Sequence, residues 1–222
     1  MPRLADHEER RRSITGATRR VIARGGLDAA TFQSVAAEAG VSVRSVQYYF
    51  GSKREFLLAT HRAVVEDSGT RLHRALAELG PAAGPRDIVR AVLVGLLPLD
   101  EPSRQNAIIL GIFHAATLTG PHLEAADTAS TPNYIVEAVA AQLRRLRGPD
   151  ADEAVIRADA EVTLLAVAGL AQGMLTDTGM ASRATELVDH LLHRVLPGVG
   201  QCSALQGGGE EPPGRPPGLS VP

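Results

Sequence analysis

The turn Ala39-Gly40-Val41-Ser42 separates two short runs with helical apolar spacing, and it leaves few ways for the start of this 222-residue chain to fold. Thr31 is suited to cap the first run, whose inward face is Val35, Ala36 and Ala39. Gly40 supplies the left-handed residue that ends a helix without a Cβ penalty. Val41 is placed to plug the angle between the runs. Ser42 caps a second helix over Val43 to Tyr49. Ser52-Lys53-Arg54-Glu55 reads as a capping box opening a third. Two helices at a steep angle about a glycine-containing turn form a helix-turn-helix, a unit that lays its second helix in the DNA major groove.

The second helix carries residues suited to that use. Arg44 and Gln47 can make bidentate contacts to guanine and adenine edges. Ser45, Tyr48 and Tyr49, with Lys53 beyond them, suit phosphate oxygens. With Thr31, Gln33, Ser42 and Val43, these make the expected DNA-binding set. The competing reading is an ordinary helical hairpin with a solvated face.

The flanks narrow the choice. Ahead of the motif lies an amphipathic helix with Ile14, Ala17, Val21 and Ile22 inward, stopped by Gly25-Gly26. From about Arg10 to Leu58 the segment resembles the DNA-binding domain of the TetR family of transcriptional regulators. The matching features are Ile14, Ala17, Gly25-Gly26, Thr31, Val35-Ala36, Ala39-Gly40-Val41-Ser42, Tyr49-Phe50, Ser52-Lys53 and Leu57-Leu58. Arg44 and Gln47 depart from the family's usual Gly and Tyr on the recognition helix. The departure bears on base preference and leaves the fold unaffected. The resemblance implies a sequence-specific, ligand-responsive repressor that binds a near-palindromic operator as a homodimer.

Charge is divided unevenly. Residues 1–55 hold ten Arg and Lys against six Asp and Glu, net +4, and the remainder thirteen against nineteen, net −6. A basic head on an acidic body suits a DNA reader with a separate regulatory part. The expectation is that some of Arg10 to Arg12 and Arg19-Arg20 touch DNA. The one cysteine, Cys202, excludes an internal disulfide and a cysteine-based metal site. The N-terminus lacks the apolar stretch of a signal peptide, and the longest apolar run, Val162 to Leu175, is too short to span a bilayer, so a cytoplasmic protein is expected.

After Phe50 every run has helical spacing, and the fold class is all-α with about nine helices. A long helix from Lys53 towards Glu78 is expected to link the two halves and to be the one element able to transmit motion between them. Further helices are expected from Pro85 to Leu97, from Ala107 to Leu118, from Thr131-Pro132 to Arg147, from Asp152 to about Thr176, and from about Ala181 to Leu196. The domain organisation expected is residues 8–68 for DNA binding, 69–196 for regulation and dimerisation, and 197–222 as a Pro/Gly-rich disordered tail.

The penultimate helix carries Ala166, Ala168, Gly169, Ala171 and Gly173, small residues that let another helix approach closely. The last two helices resemble those of a broad subgroup related to the choline-responsive repressors, and the resemblance implies that they pair with their copies. A ligand pocket between the middle helices is also implied, with His61, Val92, Ile108, Ile112, Phe113, Tyr134, Leu165 and Gln172 in its wall. The effector expected there is an unidentified, largely apolar small molecule. His114, on an apolar helix, reads as a satisfied core histidine. No cofactor, metal site or membrane partner is expected. No phosphate loop, nucleophile elbow or carboxylate pair points to an enzyme, and His190 and His193 lack a third metal ligand. The remaining alternatives are a helical protein-binding adaptor and a ligand-independent or activating regulator of the same fold.

Overall fold

The computed structural model describes residues 2–119, 123 and 133–195. Among these residues there are nine helices and no strand: α1 (Pro2–Ala29), α2 (Phe32–Ala39), α3 (Val43–Phe50), α4 (Lys53–Glu78), α5 (Pro85–Gly95), α6 (Glu101–Thr119), α7 (Asn133–Arg147), α8 (Glu153–Thr176) and α9 (Thr178–Val195). The Thr131-Pro132 helix start and the tail over 197–222 lie outside the described residues.

The N-terminal punctuation works as its chemistry dictates. α1 breaks at Gly26, whose φ of 74° favours a residue without Cβ. The Thr31 side chain accepts from the Ser34 amide, and the Ser34 hydroxyl takes the Thr31 amide in return. Gly40 ends α2 at φ 64°, a left-handed conformation. Ser42 caps α3, which runs one residue further than expected, to Phe50. At the start of α4 the Ser52 hydroxyl accepts from the Glu55 amide at 3.2 Å, the forward half of the expected capping box.

α6 begins at Glu101, six residues before the expected start. Its entry is a reciprocal cap: Asp100 accepts from the Ser103 amide at 2.7 Å, and Ser103 accepts from the Asp100 amide at 3.0 Å. The polar first turn Glu101-Pro102-Ser103-Arg104 carries no apolar periodicity, so hydrophobic spacing alone misses it.

Two hydrophobic cores form. The first joins Ile14, Val21 and Ile22 of α1, Val35 and Ala36 of α2, Val46 and Phe50 of α3, and Phe56, Leu57 and Val64 of α4. Ile109 and Phe113 of α6, both fully buried, belong to this same core. The second joins Leu72 near the end of α4 to α5, α7, α8 and α9, with Leu93, Leu143, Ile156 and Leu192 among its fully buried residues. α4 therefore passes from one core into the other. It is not alone in linking the halves, because α6 sends its buried face into the N-terminal core while Arg104 donates to the Leu175 carbonyl of α8 at 3.3 Å.

In the body, Arg144 at the end of α7 pairs with Glu153 of α8, Arg147 pairs with Asp159 of α8, and Arg90 of α5 makes a two-armed contact with Asp189 of α9 at 2.6 and 3.0 Å. The outer face of α8 stays apolar and exposed in the single chain: Val155, Val162 and Leu165 recur at heptad-like spacing, with Ala166 and Gly169 also exposed.

Candidate nucleic-acid interface

α3 is anchored along one side and open on the other. Val46 is fully buried and Phe50 nearly so, one helical turn apart, and they fix the helix to the N-terminal core. The opposite side presents Arg44, Gln47 and Tyr48, and Tyr48 is 77% exposed. Val43, at the first turn, is also exposed. Arg44 and Lys53 have no carboxylate within ion-pair distance among the described residues. An anchored helix with free cationic and amide side chains can hydrogen-bond base edges and phosphates.

The other expected contact residues fall into distinct places. Thr31 and Ser42 have their hydroxyls engaged in caps, and the Ser45 hydroxyl lies 2.8 Å from that of Ser42. Gln33 is exposed on α2, next to the cap. Tyr49 is half-buried. Its ring lies 4.8 Å from His7 and 5.2 Å from Tyr48, and its carbonyl accepts a hydrogen bond from Arg11. Tyr49 thus joins α3 to the start of α1, a role that spacing along α3 does not disclose.

The basic head is sorted by its partners. Arg20 and Arg24 both pair with Glu38, clipping α1 to α2. Their hydrogen bonds, Arg20 first and Arg24 next, hold the Glu38 carboxyl below the usual carboxylate range. Arg19 pairs with Asp67 of α4 and donates to Asn106 of α6 at 2.6 Å. Asn106 is 3% exposed and donates in turn to Ser68 at 3.4 Å. Arg19 and Arg20 are therefore paired within the chain. The Arg19–Asn106 node was not foreseen, because residues so far apart in sequence leave no local signal.

The residues expected around a ligand fall in several places among the described residues. Phe113, Ile112 and His61 gather at the N-terminal core, with the His61 and Phe113 rings 5.1 Å apart. Val92 is buried in the body core, and Ile108 is half-buried on α6. Tyr134 and Leu165 are exposed in the single chain, at 54% and 71%, and so line no interior. Gln172 is exposed, with its amide lying over Gly111 of α6. Two open clefts lie elsewhere, at the α1–α2 junction beside Arg24 and Glu38 and at the start of α5 beside Asp87 and Arg90. His114 is exposed, not a core histidine; the helix turns it away from Phe113, and among the described residues the buried histidine is His61. Burial, then the charge of Arg62, pushes the His61 imidazole below its ordinary value.

By its form, this is a helix-turn-helix protein on an all-α body. More particularly, residues 14–60 match the model of the bacterial regulatory proteins of the tetR family, and the chain carries that family's helix-turn-helix domain. Over 93 residues, 41% of this chain, it is 42% identical to the HTH-type transcriptional regulator BetI of Burkholderia thailandensis, covering 48% of that protein. The chain thus spans about half the length of the curated relative it matches. A transcriptional regulator from Rhodococcus sp. Rha1 shares the fold with a TM-score of 0.67 at 27% identity, over 84% of this chain and 93% of that one. A regulator from Saccharomonospora viridis, solved in complex with choline, shares the fold at 22% identity with a TM-score of 0.65, over 85% of this chain and 94% of that one. No described helix is long and apolar enough to cross a membrane.

Proposed function

We propose that this chain is a sequence-specific DNA-binding transcriptional regulator, a repressor that reads a near-palindromic operator as a homodimer. The observation that carries this reading is α3 itself: capped at Ser42, anchored by Val46 and Phe50, and facing solvent with Arg44, Gln47 and Tyr48. In this reading residues 8–68 form the reader and residues 69–196 the regulatory and dimerisation part. Val155, Val162, Leu165, Ala166 and Gly169 of α8 supply an apolar face for a second copy, joined by α9. One eight-residue helix buries little against DNA; two, on half-sites roughly 34–36 Å apart, bind together.

The regulatory step follows from the two helices that link the cores. A small, largely apolar molecule bound near His61, Ile112 and Phe113 would favour a conformation whose reading helices no longer match the half-site spacing. Weakening DNA binding about 100-fold requires a preference of about 2.7 kcal/mol for that conformation. The Saccharomonospora viridis regulator of the same fold, solved in complex with choline, supports a small-molecule effector, and the identity of that ligand belongs to that protein. The rival reading, an adaptor with an arginine-rich docking face, is disfavoured because Arg19, Arg20 and Arg24 are already held by the chain's own carboxylates.

Selection from a random duplex library with the full chain tests the function. An enriched, near-palindromic sequence is the expected result. Arg44→Ala and Gln47→Ala should each cost about 1–3 kcal/mol on it and relax specificity, whereas Lys53→Ala should weaken all sequences alike and lower the salt slope by about one. A library with no enriched sequence would refute the reading.

A further inference from the structure

The first three turns of α1 lie outside the segment that matches the family model, which begins at residue 14. Ile14 is also the first residue of the N-terminal core along the chain. A helix that began there would still carry the buried core residues of α1. Instead α1 starts at Pro2, and the added turns lengthen it by about 18 Å.

The extension is held against the reading helix. The His7 ring packs on Tyr49, the Arg11 guanidinium stands 4.5 Å over the Phe50 ring, and Arg11 donates to the Tyr49 carbonyl. His7, Arg11 and Ile14 are spaced four and three apart and so share one side of α1. Tyr49 continues into Tyr48, the most exposed large apolar side chain described. An unbroken run of three rings thus leads from the solvent face of α3 to the start of α1.

Arg10 flanks that run. It lies three residues after His7 and four before Ile14, on the border of the same side, and it is exposed. Among the described residues it makes no ion pair, although Asp6 stands one turn earlier. Glu9 points to the opposite side of the helix from His7. Arg19, Arg20 and Arg24, further along the same helix, are all engaged by Asp67 or Glu38. Arg10, by contrast, is exposed and is held by no carboxylate among the described residues.

We propose that the extension of α1 is a second DNA-contacting element, in which Arg10 binds the phosphate backbone flanking the half-site read by α3. The proposal rests on the DNA-binding reading above. A guanidinium binds phosphate through charge-assisted, often bidentate hydrogen bonds. Such a contact adds affinity and register without reading sequence. His7 and Arg11 act as positioning residues that keep the extension beside the groove.

The test is binding of the full chain and of Arg10→Ala to the duplex enriched by the full chain, measured by fluorescence anisotropy across a range of salt. Arg10 is exposed, so the variant should keep the helical circular dichroism of the parent. The expected result is an affinity about tenfold weaker on every sequence tried. The slope of log affinity against log salt should be shallower by about 0.9 per protomer. Arg10→Glu should weaken binding further, and His7→Ala should give a smaller loss of the same kind. Unchanged affinity and slope for Arg10→Ala, while the full chain binds, would overturn this proposal and leave the function standing. A loss confined to particular flanking bases would overturn the phosphate assignment in favour of groove reading. Failure of the full chain to enrich any duplex would instead refute the DNA-binding reading.

Discussion

All four phenylalanines of the chain, Phe32, Phe50, Phe56 and Phe113, pack in or against the N-terminal core, while the buried residues of the body core are Leu, Val, Ile, Ala and Met. The rings meet edge to face: Phe32 and Phe56 at 5.3 Å and 78°, Phe50 and Phe56 at 6.5 Å and 87°. Large rings suit a module whose α2 and α3 have only eight residues each, because each ring removes much surface from water. The body works differently. Its helices are longer, and Ala140, Ala160, Ala171 and Ala184 let them lie close together. The comparison shows how the reading helix is kept rigid by a small aromatic core, one of whose rings, Phe113, is lent by α6.

The sharpest way to break this comparison is Phe113→Ala. The loss of a fully buried ring should cost about 3–5 kcal/mol in denaturant unfolding. Hydrogen exchange should show the weakening in α1 to α4, although residue 113 lies beyond the first domain in sequence. Protection lost only in α5 and α7 to α9 would show that the cores are wrongly divided here. A smaller effect is expected at the polar node between the same helices. Asn106→Ala strands a donor of Arg19 in a buried setting and should cost about 1–3 kcal/mol. A double-mutant cycle with Arg19→Ala should give a clear coupling energy, and additive losses would remove the node as a link between α1 and α6.

The smallest effect is the pH dependence of the His61 contact. The imidazole, ordinarily titrating at 6.5, is depressed in the fold, so the unfolded chain binds the proton more readily. The stability contributed by neutral His61 is complete above that ordinary value and is lost as pH falls through the depressed folded one. Thermal melts from neutral to mildly acidic pH should therefore fall more steeply for the parent than for His61→Gln. Parallel curves would remove His61 from the account.

Much of the reader was legible because its signals are local. Thr31, Gly40 and Ser42 act through their immediate neighbours, and Ile14, Ala17, Val21 and Ile22 show their burial by spacing alone. The start of α6 was not legible from periodicity, since its Asp100–Ser103 cap precedes any apolar repeat. The ligand wall was illegible for a different reason. Periodicity says that Tyr134 and Leu165 lie on an apolar stripe, but not whether that stripe faces the chain's own interior or solvent.

By itself the amino-acid order determined the capped starts and stops of the reader at Thr31, Gly40 and Ser42, the all-α class and the open side of α3, because capping and amphipathic spacing are settled within a turn or two. Only the tertiary structure decided which arginines are free, that α6 completes the aromatic core, and that Tyr49 ties α3 to α1. Those outcomes depend on pairs such as Arg19 with Asn106 and Arg11 with Tyr49, whose partners meet only after the helices have packed.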